Sequence, residues 1–531
     1  APEPIRSALV EGASWWNQAF EAAGFRNAFQ VKVLPEDADP MDVRYNMINW
    51  VHRSTRGWSY GGSIEDPRTG EILKGNVTLG SLRIRQDFTI GSGLVPIFAD
   101  ASRQGGDGFS GPCEAAMLTD DEELAALDPS TDPEAMSLAR IRQLAAHEVG
   151  HTLGFAHNFA ASTYGRASVL DYPAPWVEIK NGKLDLSNAY ATGIGDYDKF
   201  AVQYSYTQFA AGTNEDEALE KLVEGGVAKG YLFLTDQDAR PEGAANPLAT
   251  LWDNGADAVE TLKHEMEVRR IGLGQFGLNS VPEGTPLAML EAKLLPLYLH
   301  HRYQLNAAIK TIGGVYYTHS VKTKTGPNPP KPVEIIPAAK QKEALDEVLN
   351  TIDPESLKIP ERILDLIPPP APGFGRGTLE LFEKRTDPIF DPLSAASLAA
   401  DLTVSGLLQH ERAARMTTFH SRNAEYPAFA DVVNALLKKA WTRPPDAYGQ
   451  QIARTTQWLI VSRLMDLASN ADAMPQVRAT ATNALRNIVT GIGTANDPMK
   501  DEIDRFLKRP DPVNKKTDPL PTPAGDPIGG R

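Results

Sequence analysis

Five residues between positions 147 and 157 have the types and spacing to bind a metal ion and activate water: His147, Glu148, His151, Gly154 and His157. On an α-helix, residues four apart lie on one face, so His147 and His151 can direct both imidazoles at one point. Gly154 can take the left-handed conformation that ends a helix, which would bring His157 back as a third ligand. Three histidines with one open position are typical of catalytic zinc. Glu148 would then act as general base toward the water on the metal.

A bare HExxH can arise by chance on an ordinary helix, but the longer pattern HExxHxxGxxH constrains two more positions. The sequence therefore predicts one catalytic zinc ion held by His147, His151 and His157. A second His-Glu pair, His264-Glu265, has Val268 where the second histidine would stand. We interpret that pair as solvated helix surface.

The zinc motif resembles that of the metzincin clan of zinc metallopeptidases, in which a tight turn carrying a methionine lies beneath the metal. Residues 168–173, Ser-Val-Leu-Asp-Tyr-Pro, resemble this turn, with Leu170 in the methionine position. Leucine and methionine have similar volumes, and such swaps usually cost less than about 1.5 kcal/mol. Tyr172 stands where a tyrosine in some members binds zinc or stabilises the tetrahedral intermediate, and a purely structural tyrosine in a turn is an equal alternative.

More widely, the chain resembles the bacterial zinc-dependent metalloproteases with a Met-zincin domain. The matching stretches besides the zinc helix are 15–20, 44–46, 66–72, 193–199, 295–298 and 301–303. The resemblance implies an α/β (α+β) catalytic domain with a twisted mixed sheet and a zinc helix, followed by a mainly α-helical C-terminal domain. It also implies a periplasmic or secreted, extracytoplasmic protein. Because such domains normally begin with a β-strand and this chain opens on a helix, we expect a separate N-terminal fragment of the same precursor to supply the first strand.

The length of 531 residues is too great for one ordinary core. We expect a catalytic domain at 1–210, an acidic connector at 211–279, a helical domain at 280–507 and a flexible tail at 508–531. Apolar periodicity near 3.6 predicts helices over 287–312, 338–352, 392–415, 428–441, 452–468 and 477–489.

In the catalytic part, the pattern predicts an amphipathic helix over 4–23, strands over 29–33 and 44–52, and a hairpin whose arms are 60–65 and 71–79. By resemblance, residues near 76–82 are expected to form the edge strand that pairs with extended substrate. The zinc helix is predicted to begin after Asp132, with Asp132 as its N-terminal cap and Pro133 in its first turn.

Composition excludes several classes of partner. The net charge of -15, without a basic stripe, argues against nucleic-acid binding, and no apolar run approaches the 18 to 20 residues of a membrane span. The single cysteine, Cys113, cannot form an internal disulfide; it is either a small packed residue or a thiol that occupies the open zinc position of a latent form. Carboxylates suited to calcium occur at Asp236, Asp238, Asp253 and Asp257, but without EF-hand spacing they are interpreted as caps and turns.

The leading hypothesis is therefore a zinc endopeptidase that cleaves peptide or protein substrates, with Glu148 as general base and Tyr172 as a candidate for oxyanion support. The alternative is a catalytically silent zinc-containing protein that binds peptide or acts as a scaffold, prompted by Leu170 and by the expected absence of the first strand. Hydrolysis of a non-peptide amide would use the same residues.

Overall fold

The computed structural model describes residues 1–53, 59–99, 129–322, 331–373, 379–491 and 497–510. Cys113 and the segment 511–531 lie outside the described residues, so the predictions made for them stay predictions.

The described residues form a mixed α/β structure that is mainly helical, with small sheets. The helices are α1 Ile5–Ser14, α2 Trp16–Ala22, α3 Leu82–Leu94, α4 Pro133–Thr152, α5 Asp196–Tyr206, α6 Glu215–Ala228, α7 Asp236–Ala239, α8 Ala258–Gln275, α9 Leu290–Tyr298, α10 Arg302–Thr311, α11 Ala338–Asn350, α12 Pro354–Leu357, α13 Glu361–Leu364, α14 Pro392–Leu407, α15 His410–Arg422, α16 Phe429–Ala440, α17 Ala447–Ser469, α18 Pro475–Gly491 and α19 Pro498–Lys508. The strands are β1 Met47–Val51, β2 Tyr60–Glu65, β3 Ile72–Gly80, β4 Glu178–Lys180, β5 Lys183–Asp185, β6 Val315–Tyr317 and β7 Val333–Ile335.

The first sheet has the order β1-β3-β2, with β1 parallel and β2 antiparallel to β3. The hairpin is therefore confirmed, but the prediction that its second arm is the edge strand was wrong. β3 has a neighbour on each side, and β1 and β2 are the two edge strands. Burial gives the reason: the last four residues of β3 are all buried, as befits a central strand, whereas β2 alternates between exposed and half-buried residues.

The prediction of a strand over 29–33 was also wrong. Phe29 and Val31 pack against the core that includes α2, and the Phe29 ring stacks on Phe20 with centroids 5.9 Å apart. Alternation of apolar residues thus identified Phe29 and Val31 as core-facing, but the third apolar residue, Val33, is 64% exposed. A strand also needs a hydrogen-bonded neighbour, and no described segment pairs with 29–33.

Helix α4 is the central element of the first half of the chain. It begins as predicted, because the Asp132 carboxylate accepts from the backbone N–H groups of Glu134 and Ala135 at 2.9 and 3.1 Å. The fully buried Trp16 donates its indole N–H to the carbonyl of Ala146 at 2.7 Å. Helices α1 and α3 and strands β2 and β3 all pack on α4, so the zinc motif lies on a helix enclosed from several directions.

The later part of the described chain packs mainly as helices around a second core. Two of the predicted helices, 287–312 and 392–415, are each divided in two: α9 ends at Tyr298 before α10, and α14 ends at Leu407 before α15. At the second division, the Gln409 side chain accepts from the N–H of Arg412 and caps the new helix. A continuous apolar pattern does not reveal such breaks, because both helices of a pair face the same core.

The interpretation of His264-Glu265 as solvated helix surface was wrong. Glu265 is 5% exposed, and its carboxylate lies 2.6 Å from Nε2 of His300. The ring of His264 stacks on Trp176 at 4.3 Å and bonds the Val177 carbonyl. This face of α8 is covered by Trp176, Val177 and His300, which lie far from it in the sequence. The local sequence of α8 therefore could not reveal that the face is buried.

Candidate metal centre

The zinc motif adopts the geometry that its spacing predicts. His147, Glu148 and His151 lie in the last turns of α4, which ends at Thr152. Gly154 follows with φ of +89°, in the left-handed region that favours glycine. The N–H of Phe155 then bonds back to the carbonyl of Gly150 at 3.2 Å. This turn reverses the chain and brings His157 beside the two helical histidines.

The three imidazoles converge through their Nε2 atoms. Nε2 of His151 lies 3.1 Å from Nε2 of His147 and 3.1 Å from Nε2 of His157. Among the described residues, this trio is the one group of three or more His, Cys, Asp or Glu side chains that could hold a metal ion. Sequence reasoning thus selected three residues that the fold does bring together.

The opposite ring nitrogens determine the protonation of the three histidines. Nδ1 of His147 faces the Val169 carbonyl at 2.7 Å, Nδ1 of His151 faces the Phe155 carbonyl at 2.8 Å, and Nδ1 of His157 faces Asp236 at 2.8 Å. Because each Nδ1 has an acceptor, it carries the proton and leaves the Nε2 lone pair directed at the other two rings. Burial, followed by the charges of the neighbouring histidines, lowers the pKa of His147 well below its usual value and that of His151 to about 4.

These features fit a zinc ion. Nε2 lone pairs 3.1 Å apart, as those of His151 are from His147 and from His157, repel one another unless a cation lies between them. Tetrahedral zinc with nitrogen ligands at 2.0 to 2.1 Å places neighbouring ligand atoms roughly 3.3 to 3.4 Å apart. The donor set and its spacing therefore suit one tetrahedral ion with one position left for water or substrate.

The turn at 168–172 packs against α4 and contacts His147 through the Val169 carbonyl. Leu170 is 2% exposed, and its side chain lies against Gly150 of α4 so closely that a Cβ there would be 2.7 Å from Leu170 Cδ2. The buried carboxylate of Asp198 fixes the turn by accepting from Ser168 Oγ at 2.6 Å and from the Val169 N–H at 2.8 Å. The apolar side chain of Leu170 thus packs directly against α4.

Tyr172 is 5% exposed and lies beside two of the histidines. Its ring centroid is 5.2 Å from that of His147 and 4.6 Å from that of His157, and it stacks on Trp252 at 4.7 Å. The Arg240 guanidinium lies 5.7 Å from the centroid of the Tyr172 ring, so its positive charge acts on the Tyr172 hydroxyl. Burial raises the pKa of this hydroxyl to about 12, although Arg240 pulls it down. Tyr172 is therefore a neutral O–H group at the centre.

Glu148 is 2% exposed and lies where the edge strand β2 crosses α4, at Gly61. Burial raises the pKa of the Glu148 carboxyl to about 8, with the Arg140 guanidinium and the Gly61 N–H acting in the other direction. A carboxyl with such a pKa can both take up and release a proton near neutral pH.

The structure adds two residues whose role at this centre the sequence did not reveal. Asp236, which we had considered only as a calcium ligand or a turn residue, bonds His157 through Oδ2 and Arg240 through Oδ1. Arg240 was not considered at all. Asp236 lies 79 positions after His157, so no local spacing could have pointed to it; the one general signal was that a metal-binding histidine usually has an acceptor at its other nitrogen.

The other three aspartates considered for calcium have separate partners. Asp238 accepts from Tyr317 and His319, Asp253 lies near Ser162, and Asp257 caps α8 and pairs with Lys340. These four carboxylates do not form one oxygen cluster among the described residues.

Comparison with known proteins agrees with the geometry. A family model described as Met-zincin matches residues 129–447, which is well over half of the chain and includes α4, His157 and the Asp236–Arg240 pair. No curated protein and no solved structure matches the chain. Across the described part of the chain, no helix combines the length and apolar character needed to cross a bilayer. The histidine trio of α4 and its turn, together with the extent of the family match, show that this chain belongs to the Met-zincin family.

Proposed function

We propose that the chain is a zinc-dependent endopeptidase whose general base is Glu148. The observation that supports this most strongly is the convergence of three Nε2 lone pairs, from His147, His151 and His157, next to a buried carboxylate on the same helix. The proposal rests also on membership of a family whose description implies a zinc metallopeptidase.

The three imidazoles would hold zinc, which when bound polarises the scissile carbonyl and makes the attacking water more acidic. Glu148 takes the proton of that water onto its carboxylate and then delivers it to the leaving amine nitrogen. Burial restricts the movement of the Glu148 side chain. Tyr172, whose O–H group is neutral, is the candidate donor to the developing oxyanion.

Substrate would lie along the edge strand β2. We had expected this role for residues near 76–82, but β3 has partners on both sides. β2 pairs only with β3 among the described strands, and it crosses α4 at Glu148. An extended peptide that pairs with the free edge of β2 would therefore pass beside the general base, in the manner of β-strand addition.

The proposal is tested by incubating the purified chain with an unfolded protein and with peptides blocked at both ends, while zinc content is assayed. Native chain should cut internal bonds of the blocked peptides. Glu148→Gln should keep its zinc while kcat/KM falls by roughly 10²- to 10⁴-fold, the usual contribution of a general base. His151→Ala should lose the metal. Glu134→Gln, in the first turn of the same helix, should cut as the native chain does.

Two results would contradict the proposal. Cleavage that persists undiminished in zinc-loaded Glu148→Gln would remove Glu148 from the chemistry. Full zinc occupancy without any cleavage would favour the alternative, a zinc-containing peptide-binding or scaffold protein. An extracytoplasmic location is part of this proposal on the basis of the family resemblance alone. The domain boundaries at 210, 279 and 507 stay predictions from the sequence pattern.

A further inference from the structure

The third histidine differs from the other two in what holds its ring. Nδ1 of His147 and of His151 faces a backbone carbonyl, whereas Nδ1 of His157 faces a carboxylate, Asp236 Oδ2, at 2.8 Å. A carboxylate acceptor makes a stronger hydrogen bond than a neutral carbonyl and increases the basicity of the opposite nitrogen.

His157 also depends more on such a partner. His147 and His151 stand on a helix whose backbone fixes their direction, but His157 lies beyond the helix, after Gly154. Its ring must be oriented by contacts of its own. It packs against Phe159 and Tyr172, with centroids 5.1 and 4.6 Å away. Among the described residues, its one hydrogen-bonded side-chain partner besides His151 is Asp236.

Arg240 bonds Asp236 and lies beside Tyr172. The guanidinium bonds Asp236 Oδ1, which leaves Oδ2 for His157. It lies 5.7 Å from the centroid of the Tyr172 ring and 5.9 Å from that of Phe159. A single cation therefore orients the carboxylate behind His157 and lies beside the Tyr172 ring.

The short helix that carries Asp236 is itself held from outside. α7 spans only Asp236–Ala239, too short to be stable alone. The buried Lys310 of α10 donates to the Ala239 carbonyl at 3.0 Å. Tyr317 of β6 donates to Asp238 Oδ1 at 2.8 Å. Residues beyond position 300 thus place Asp236 against His157.

We propose that Asp236 and Arg240 are positioning residues for the metal centre: Asp236 orients His157 toward zinc, and Arg240 acts through Asp236. The inference rests on the proposed zinc site, but it does not require that the chain cleave peptides.

Zinc affinity, measured by competition with a chelator and without any peptide, tests the proposal. Asp236→Ala should bind zinc 10- to 100-fold more weakly, the range found when an outer hydrogen-bond partner of a metal ligand is removed. Asp236→Asn should lie between native and Asp236→Ala, because its amide oxygen can still accept from the Nδ1–H of His157. The cobalt(II) form of Asp236→Ala should show an altered ligand-field spectrum.

Asp257→Ala is the matched control, since it removes a helix cap and an ion pair with Lys340 that involve none of the three histidines. It should lower the Tm without changing zinc affinity. Thermal melts of every variant separate loss of fold from loss of metal. If Asp236→Ala does not fold, Arg240→Gln carries the test, with a smaller loss of zinc affinity.

The double variant Asp236→Asn with Arg240→Gln tests whether Arg240 acts through Asp236. Its zinc affinity should match that of Asp236→Asn alone, because the two residues form one unit. Zinc affinity within twofold of native in both Asp236→Ala and Arg240→Gln would overturn the inference, and fully additive losses would overturn the role of Arg240. A native chain that binds zinc but cuts no peptide would overturn the proposed function and leave this inference intact.

Discussion

At the scale of single residues, the metal centre depends on a close fit between Leu170 and Gly150. The Leu170 side chain fills the space that Gly150 leaves on α4, and Trp16 closes the same space from another side, where a Cβ on Gly150 would be 2.6 Å from Trp16 Cζ2. The neighbouring Val169 carbonyl accepts from His147 and from Gln143. One turn therefore supplies both the apolar side chain of Leu170, which packs against α4, and the Val169 carbonyl, which accepts from His147.

This fit predicts that Leu170→Met is nearly neutral. Methionine has a similar volume and is more flexible, so the free energy of unfolding should change by less than about 1.5 kcal/mol and zinc affinity should not change. Leu170→Ala leaves a cavity and should lower the free energy of unfolding by about 2 to 5 kcal/mol. Denaturant unfolding and zinc titration measure both quantities. A large loss in Leu170→Met would show that the leucine is specifically required.

At the scale of elements, the edge strand β2 crosses the zinc helix in direct contact. A Cβ built on Gly61 would lie 1.9 Å from the backbone oxygen of Glu148, whereas a Cβ on the adjacent Gly62 would meet no atom within 4 Å. Strand and helix are thus in contact where Gly61 meets Glu148. Only a residue without a side chain allows this approach.

The two glycines make a matched pair for experiment. Gly61→Ala must displace β2 from α4, and we expect a loss of about 1 to 3 kcal/mol in unfolding free energy together with weaker peptide cleavage. Gly62→Ala should change the free energy of unfolding by less than about 0.5 kcal/mol. Equal effects in the two variants, measured by thermal unfolding and by cleavage assays, would contradict the close crossing of strand and helix.

At the scale of the whole molecule, the helical part of the chain is joined to the metal centre through buried contacts. One core contains Leu94 of α3, Met136 of α4 and Leu184 of β5 together with residues of α8, α9 and later helices. Lys310 of α10, 2% exposed, donates to the carbonyls of Ala239 and Ala249 at 3.0 and 2.7 Å. The helices therefore support the segment that carries Asp236.

Lys310→Met should reveal this support through the pH dependence of stability. Burial lowers the pKa of Lys310 to about 7, with Asp253 acting in the other direction, while the unfolded chain keeps a value near 10.5. Between pH 7 and 10 the unfolded state binds more protons, so the contribution of Lys310 to stability rises with pH. The stability advantage of native over Lys310→Met should therefore grow from pH 7 to pH 10.

Urea unfolding at several pH values measures this difference. Lys263→Met, which removes exposed ion pairs with Glu260 and Glu343, should change stability by no more than about 1 kcal/mol. A stability advantage over Lys310→Met that stays constant or shrinks as the pH rises would contradict the prediction.

What the sequence by itself determined is local. Four features can be predicted from short stretches of sequence: the spacing of His147 and His151, the cap at Asp132, the reversal at Gly154 and the turn of the hairpin over 60–79. Each depends on residues only a few positions apart. Family resemblance added the turn with Leu170 and Tyr172, which the structure places beside the histidines.

Only the tertiary structure decided which distant groups meet. Two features depend on which strands pair: the order of the sheet, and the lack of a strand that pairs with 29–33 among the described residues. Two others join residues far apart in the chain: the burial of Glu265 against His300 and the bond between His157 and Asp236. Periodicity reports that a face is apolar, but not what covers it. A carboxylate that supports a metal ligand from 79 residues away has no local signature, because its position is set by the packing of α7 against α10 and β6.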